Sequence, residues 1–312
     1  MLKKMSIKKI CLSVAALFAL LLIYLIPSNT PKLDIKEELE YVDLNVSSTP
    51  IFLMDKNSYV ALTETPISEN NIEKRARELI KILTVGGMDS KVPSGFSAII
   101  PPDTEILSLS YERDVLKVDF SKDILEVDKD LEEKMIEAIV YTLTSIDKVN
   151  KVIIYVEGDI LTKLPKTKIN LPSTLDRSFG INKEFDLTST KDITDVTIYY
   201  INQINDNYYY VPVTKYLNDS RDKINIIIDE LSINFNPNKN LMSYASNDLK
   251  LVSSLLSDRT MKLEITDETY NKNEEINETI NQTISLSVCD NYDIDEVFLN
   301  TSQKLCKNAE KK

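Results

Sequence analysis

The chain of 312 residues contains one succession of predicted elements twice, and this repeat limits the folds that it can adopt. Alternate residues of one strand have counterparts 145 positions later: Leu116 with Met261, Val118 with Leu263, and Phe120 with Ile265. Thr142, in the helix after that strand, matches Thr283 at an offset of 141. Such a repeat indicates a duplicated domain of roughly 110 residues, which is within the usual size of an independent domain.

The first copy, residues 49–160, is predicted to have the order β-β-α-β-β-α-β. Apolar alternation and short apolar runs predict its strands at Ile51–Met54, Tyr59–Leu62, Ile106–Ser110, Leu116–Phe120 and Val152–Val156. After the second strand, apolar residues at helical spacing predict a helix that starts after Asn70 or Asn71. Gly86 and Gly87 favour its end, because glycine adopts the left-handed conformation that closes helices.

The second helix of the first copy has a capping-box pattern in Asp130 and Glu133. The second copy, residues 195–304, repeats the order, with strands predicted at Val196–Tyr200, Tyr208–Val213, Val252–Leu256, Met261–Ile265 and Val297–Leu299. Its two helices are predicted around Ile224–Leu231 and Ile276–Ile284. The predicted fold class is therefore α+β, with two tandem small α/β sandwich domains whose helices cover one face of a small sheet.

The segment between the copies, residues 161–194, is polar and contains Pro165 and Pro172. It shows no sustained hydrophobic period, so we interpret it as a linker or a strap. Residues 305–312 form a polar tail.

An uncharged segment near the N-terminus predicts a membrane anchor within residues 1–31. Four lysines precede it, and residues 10–26 would span about 26 Å as a helix, close to the hydrocarbon thickness of about 30 Å. Because lysines stay on the cytoplasmic side, the N-terminus is expected in the cytoplasm. Both domains would then lie outside it, after a polar spacer at residues 32–48. The expected location is the cell membrane, crossed once.

A cleaved signal peptide is the competing interpretation of this segment. Residues 26–30 contain no pair of small residues at cleavage spacing, which favours an anchor that is kept. A lipoprotein requires a cysteine after the apolar run, whereas Cys11 precedes that run.

Composition excludes several classes of function. The chain has no histidine, so a Ser-His-Asp triad and a histidine-ligated zinc site are excluded. Its five glycines do not form a dinucleotide-binding or phosphate-binding loop. A net charge of −12 disfavours nucleic acid, because binding to phosphates requires lysine and arginine.

The pattern of the first copy resembles the GerMN domain of sporulation and spore germination proteins. The resemblance rests on a helix that ends in a glycine pair (Ala76–Gly87) and on the run Ile100–Leu107 that leads into a strand. It continues with the strand Leu116–Ser121 and the helical run Tyr141–Thr144. The second copy is degenerate, because it lacks the glycine pair and the Ile-Pro-Pro run.

This resemblance implies an extracytoplasmic scaffold of the bacterial envelope, built like a ring-forming module that supports a trans-envelope channel complex. It implies partners among other envelope proteins, no catalysis and no cofactor. It also marks residues that carry the structural motif of the first copy: Gly86, Gly87, Pro101, Thr104, Phe120, Tyr141 and Thr142.

Three other features of the sequence are candidate sites. Tyr208, Tyr209 and Tyr210 predict an interaction surface, although strand alternation also places tyrosines of this hairpin in the core. The acidic residues at 126–133 favour a helix start over a calcium site, because an EF-hand loop requires a glycine at its sixth position. No metal site is predicted.

Cys289 and Cys306 form a candidate disulfide, but an extended chain between them would separate them by roughly 20 Å, so the tail would have to fold back.

The leading hypothesis is a single-pass membrane protein whose two outer domains bind other envelope proteins through sheet edges and helix faces. No residue is given a catalytic role. The alternative is a sensory ectodomain that binds a glycan or another ligand at the cell wall through the tyrosine-rich hairpin. A glycosidase that uses only carboxylates would need two acids about 5 to 9.5 Å apart in a cleft, which no sequence pattern indicates.

Overall fold

The structure, a computed structural model, describes residues 48–204, 207–233, 235–236, 241–243, 245, 247–266, 274–299 and 302–305. The anchor predicted at residues 10–26, the spacer up to residue 47, and Cys11 and Cys306 lie outside these residues. Among the helices of the described part, none is long and apolar enough to cross a membrane.

The first domain contains two helices, α1 (Ile72–Leu83) and α2 (Glu132–Leu143). Its strands are β1 (Ser48–Asp55), β2 (Val60–Pro66), β3 (Phe96–Ser97), β4 (Ile106–Glu112), β5 (Val115–Phe120), β6 (Lys151–Val156) and β7 (Asp159–Ile160). The segment that follows crosses to the second domain and carries a short 3-10 turn (Arg177–Phe179) and strand β8 (Glu184–Asp186).

The second domain contains helices α3 (Lys223–Leu231) and α4 (Glu274–Asn291). Its strands are β9 (Ile193–Ile204), β10 (Asn207–Asn218), β11 (Phe235–Asn236), β12 (Leu241–Met242), β13 (Lys250–Ser257), β14 (Thr260–Thr266), β15 (Glu296–Leu299) and β16 (Ser302–Leu305). All the strands and helices predicted for the two copies are present, so the prediction of a mixed α+β fold is confirmed.

Helix α1 forms where the sequence predicts it. The Asn71 side chain accepts the Lys74 main-chain N–H at 3.0 Å and so caps the first turn. The helix ends at Leu83, because Thr84 is already extended. Gly86 has φ +75° in the turn beyond, and a Cβ on Gly87 would overlap the Lys81 carbonyl oxygen. The glycine pair therefore shapes the turn after the helix, not its last residue.

The capping box predicted for α2 is wrong. Asp130 lies in a 3-10 turn (Lys129–Leu131), and α2 begins after Leu131, whose side chain makes no capping bond. A side-chain cap is not required, because the helix is held by burial on most of its surface. Packing against β1, β2 and β6 thus replaces a local start signal.

Each domain has its own small sheet under its second helix. The orders are β4-β5-β6-β7 and β13-β14-β15-β16. The pairs β5–β6 and β14–β15 are parallel, because a helix crosses over between their strands. Both outer strands carry a bulge at the same place: between Ile106 and Ser108 in β4, and between Leu251 and Ser253 in β13.

The duplication keeps one register through the second helix, and this corrects the matching of Thr142 with Thr283. The Thr142 hydroxyl accepts the Phe52 N–H at 3.0 Å, and the Ser287 hydroxyl accepts the Tyr199 N–H at 2.9 Å. Ser287 lies 145 residues after Thr142, the same offset as in the strands. Thr283 instead donates its hydroxyl to the Thr279 carbonyl inside α4. The offset of 141 was wrong by one helical turn.

Candidate functional site

The two domains share one sheet, and the junction between them is the candidate functional site. Eight of the described strands form this sheet, in the order β11-β12-β9-β10-β2-β1-β3, with β8 also paired to β10. The two hairpins meet where Tyr210 of β10 pairs antiparallel with Leu62 of β2. Both β2 and β10 are the second strands of their hairpins, so equivalent edges of the two copies face each other. This is the geometry of an internal, approximately two-fold dimer.

Arg177 lies between the two copies and binds equivalent positions of both. Its Nη2 donates to the Ser145 hydroxyl at 2.8 Å, just after α2. Its Nη1 forms an ion pair with Asp290, in the last turn of α4. Asp290 lies 145 residues after Ser145, so the connecting segment places one guanidinium at the same end of both second helices.

Aromatic rings enclose this guanidinium. Its central carbon lies 5.0 Å from the centre of the Tyr141 ring and 5.7 Å from that of Phe52. The Tyr199 hydroxyl donates to the second oxygen of Asp290 at 2.9 Å. Burial raises the pKa of Tyr199, and the negative charge of Asp290 raises it further, so this hydroxyl stays a donor. Each of the three guanidinium nitrogens has a hydrogen-bond acceptor, and Asp290 is buried, as a structural ion pair requires.

Asn182 connects both halves of the shared sheet. Its side-chain nitrogen donates to the carbonyl oxygens of Val60 at 2.8 Å and Pro212 at 2.7 Å. Its side-chain oxygen accepts the Val60 N–H at 2.9 Å. The residue has φ +47°, a conformation that asparagine tolerates better than most side chains. One side chain therefore bonds main-chain groups of β2 and β10.

A buried carboxylic acid, Glu137, hydrogen-bonds the main chain of Asn182. The Glu137 Oε2 atom accepts the Asn182 main-chain N–H at 2.9 Å, and Glu137 is only 2% exposed. Burial raises the pKa of Glu137 to about 7, while the hydrogen bond from Asn182 acts against this increase.

Most of the tyrosine-rich hairpin is used in the junction. The Tyr209 hydroxyl donates to Asp55 Oδ2 of the first domain at 2.7 Å, and its ring meets Phe96 edge to face at 5.0 Å. Tyr210 is the residue that pairs with Leu62. Tyr208 is 46% exposed. The three tyrosines that the sequence singled out are therefore divided between the junction and the surface.

The remaining motif residues hold the first domain together. Phe120 and Tyr141 are fully buried, and the Tyr141 hydroxyl donates to the Arg177 carbonyl at 3.1 Å. The Thr104 N–H donates to the Pro101 carbonyl at 3.2 Å, which closes the turn before β4. Among these residues, Tyr141 and Thr142 touch or adjoin the junction, whereas Gly86, Pro101 and Thr104 lie in turns away from it.

The acidic residues before and in α2 have structural partners. Glu132 accepts the main-chain N–H groups of Lys166 at 2.8 Å and Thr167 at 2.6 Å. Burial alone would raise the pKa of Glu132, but the hydrogen bonds from Thr167 and Lys166 hold it below its ordinary value. Glu133 pairs with Lys183 at 2.7 Å. Within the described ranges, no group of three or more acidic or cysteine side chains is placed to hold a metal.

Cys289 is disulfide-bonded, and its partner lies outside the described residues. Strand β16 pairs antiparallel with β15, so the chain before Cys306 does turn back, as the candidate bond requires. The pairing of Cys289 with Cys306 itself stays a prediction.

Sequence reasoning missed the residues that build the junction: Glu137, Arg177, Asn182 and Asp290. The connecting segment has no period, so nothing marked Arg177 or Asn182 within it. Asp290 could have been found, because the offset of 145 equates it with Ser145.

The comparisons with known proteins agree with this architecture. The Germane family model, described as "Sporulation and spore germination", matches residues 50–162. The spore germination protein GerM of Bacillus subtilis (strain 168) is 29% identical over 266 residues, which cover 81% of this chain and 71% of that protein. The solved tandem GerMN domains of the sporulation protein GerM from Bacillus subtilis superpose with a TM-score of 0.73 at 27% identity, covering 82% of this chain and 91% of that one.

The fold and the junction thus define a duplicated α+β protein whose two modules are joined as an internal dimer. The modules are tandem GerMN domains, and the chain is similar to the sporulation protein GerM along most of its length. The resemblance inferred from the sequence motifs is confirmed.

Proposed function

We propose that the protein is a membrane-anchored, extracytoplasmic scaffold or adaptor of a sporulation-related envelope complex, acting by protein–protein interaction. The observation that carries this proposal is the shared sheet with its closed junction. Because Arg177 and Asn182 bond both domains, the outer surfaces of the two modules are held at one fixed separation and orientation. A fixed pair of surfaces is what a scaffold needs in order to position two partners.

The outer strand of the second domain supplies an apolar surface for such contacts. Val252, Leu255 and Leu256 of β13 are 55%, 60% and 52% exposed. In the first domain, the equivalent strand β4 is better covered, since Tyr111 bonds Glu73 of α1 and the carbonyl of Lys148. Exposed apolar side chains on an edge strand are typical of an interaction site. The degenerate second copy thus retains a surface suited to partners.

The proposed location follows from the sequence. Residues 10–26 would anchor the chain, with the N-terminus in the cytoplasm and both domains outside it. The similarity to GerM supports a role in sporulation or germination, and the envelope partners are proposed on that basis.

The test is quantitative crosslinking of the full chain, tagged at its C-terminus, in membranes of the host. Leu255→Lys places a charge in the apolar surface, whereas Ser257→Lys places the same charge on an exposed residue of the same strand and serves as the control. We expect the same extracytoplasmic proteins to crosslink to the wild type and to Ser257→Lys, and to be lost with Leu255→Lys.

Two results would contradict the proposal. Recovery of cell-wall fragments without protein partners would favour the glycan-binding alternative. Turnover of a peptidoglycan fragment by the purified protein, retained in both variants, would indicate an enzyme.

A further inference from the structure

Glu137 occupies an unusual position for an acid, because it lies in the middle of α2 and faces the junction instead of solvent. It is 2% exposed, and its carboxylate accepts a hydrogen bond from the Asn182 N–H at 2.9 Å. Among the described residues, no lysine or arginine forms an ion pair with it within 4 Å. A buried carboxylate without a paired cation is costly when it is ionised.

The charged groups around Glu137 are already engaged with other partners. On α2 itself, Glu133 lies one turn before it, and the Lys134 ammonium donates to the Ser58 carbonyl. From the connecting segment, Lys183 pairs with Glu133 at 2.7 Å and lies 3.5 Å from the centre of the Phe179 ring. From β10, the Tyr216 hydroxyl has a pKa raised by burial and by nearby acids that include Glu137.

Because of these surroundings, protonation of Glu137 stabilises the closed junction. Burial raises its pKa from 4.5 to about 7, Glu133 acts in the same direction, and Asn182, Lys183 and Lys134 act against it. If the junction opens, water reaches the carboxyl group and its pKa returns towards the ordinary value. The closed form therefore binds the proton more tightly than the open form does.

We propose that Glu137 makes the junction between the two domains a proton-sensitive latch, which holds the domains together more firmly when its carboxyl group is protonated. Glu137 is connected to the two central strands of the shared sheet through a single residue, Asn182. Glu137 holds the main chain of Asn182, and the Asn182 side chain bonds β2 and β10. When Glu137 is ionised, solvation of the carboxylate competes with this arrangement.

Linkage gives the direction and size of the effect. The equilibrium constant for opening the junction should rise by up to about tenfold for each pH unit between 4.5, the pKa of Glu137 in the open form, and about 7, its pKa in the closed form. Above about 7 the constant should level off. The full difference between acid and alkaline conditions would be up to about 300-fold.

Hydrogen exchange of the full chain, measured by mass spectrometry from pH 5 to 8 and corrected for the intrinsic dependence of exchange on pH, tests the latch. The informative peptides contain the N–H groups of Val60 and Asn182, which are both bonded at the junction. In the wild type, their protection should fall as pH rises to about 7. In Glu137→Gln, which keeps an acceptor but does not titrate, the corrected protection should be independent of pH.

Two further variants separate the latch from a general loss of structure. Glu133→Gln removes a neighbouring acid on the same helix and should keep the fall in protection, with its midpoint at lower pH. Asn182→Gly suits φ +47° and keeps the N–H that Glu137 accepts, but it removes the bonds to β2 and β10. Exchange at Val60 should therefore be faster at every pH and should no longer follow the ionisation of Glu137.

The proposal is overturned if corrected protection of the wild type does not change between pH 5 and 7.5. It is equally overturned if Glu137→Gln shows the same fall as the wild type. If Glu137→Gln does not fold, the wild type and Asn182→Gly still decide the question, because an equal fall in Val60 protection in both proteins contradicts the link through Asn182.

Discussion

Arg177 and Asp290 form an ion pair that joins the segment between the domains to the last turn of α4, where the Asp290 side chain is only 2% exposed. The same guanidinium bonds Thr144 and Ser145 at the end of α2, at 3.2 and 2.8 Å. One side chain thus closes the space between the ends of two equivalent helices. The stability of the two-domain unit should therefore depend more on Arg177 than on any ion pair at the surface.

Arg177→Ala is expected to destabilise the protein by about 3 kcal/mol, since it leaves Asp290 buried without its cation. Urea denaturation followed by circular dichroism measures this change. Arg221→Ala is the control, because Arg221 also bonds two aspartates but is exposed, and its denaturation midpoint should stay close to that of the wild type. Equal midpoints for the two variants would show that Arg177 does not hold the junction.

Gly95 permits close contact between the domains. A Cβ at this position would lie 2.7 Å from the Cδ1 atom of Ile204 in the second domain, and the residue has φ +91°. Gly158 has a similar φ of +88° with no atom within 4 Å of its Cβ position. Gly95→Ala should cost about 1 kcal/mol more than Gly158→Ala, because only the first adds a clash to the backbone strain.

The measurement is the difference in unfolding free energy between the two glycine variants. Adding Ile204→Val to Gly95→Ala should recover part of the loss by giving the new methyl group room. An equal cost for both glycines, with no recovery, would contradict the proposed contact.

The register of the duplication predicts which hydroxyls matter in the second helices. Thr142→Val and Ser287→Ala each remove the acceptor of a buried main-chain N–H, so each should cost about 1 to 3 kcal/mol. Thr283→Val removes a hydroxyl that only donates to a carbonyl of its own helix, and it should cost less. Thermal unfolding of the three variants distinguishes the offset of 145 from that of 141. A larger loss for Thr283→Val than for Ser287→Ala would restore the rejected register.

Elements that depend on local pattern could be predicted from the sequence. Alternation identified the strands of both small sheets, and Asn71 identified the start of α1, because each signal lies within a few residues of the structure that it specifies. The capping box of α2 failed, since tertiary burial of that helix outweighs its local start signal.

The junction could not be predicted in the same way, because its contacts join residues far apart in sequence. Tyr209 and Asp55 are 154 positions apart, and Arg177 and Asp290 are 113 apart. Neither pair has a periodic signal, and the connecting segment lacks a pattern. Duplication was the one usable signal, since it relates Ser145 to Asp290 once the register is set by the strands.

Glu137 predicts how the stability of the whole protein depends on pH. Its pKa is raised from 4.5 in the unfolded chain to about 7 in the fold, so its contribution to stability is complete below about 4.5 and is lost as pH rises through 7. The loss should reach roughly 3 kcal/mol at pH 8, relative to the protonated state. Glu137→Gln should therefore be more stable than the wild type at pH 8 and nearly equal to it at pH 5.

Urea denaturation of both proteins at pH 5, 6, 7 and 8 measures this difference. Glu133→Gln serves as the control, because Glu133 lies one turn before Glu137 on the same helix but is less buried and is paired with Lys183. Other acids also titrate below pH 5, so the comparison is made between variants at each pH and not along one curve. A constant difference between Glu137→Gln and the wild type at all four pH values would mean that Glu137 keeps its ordinary pKa in the fold, and that burial at the junction is offset by Asn182 and Lys183.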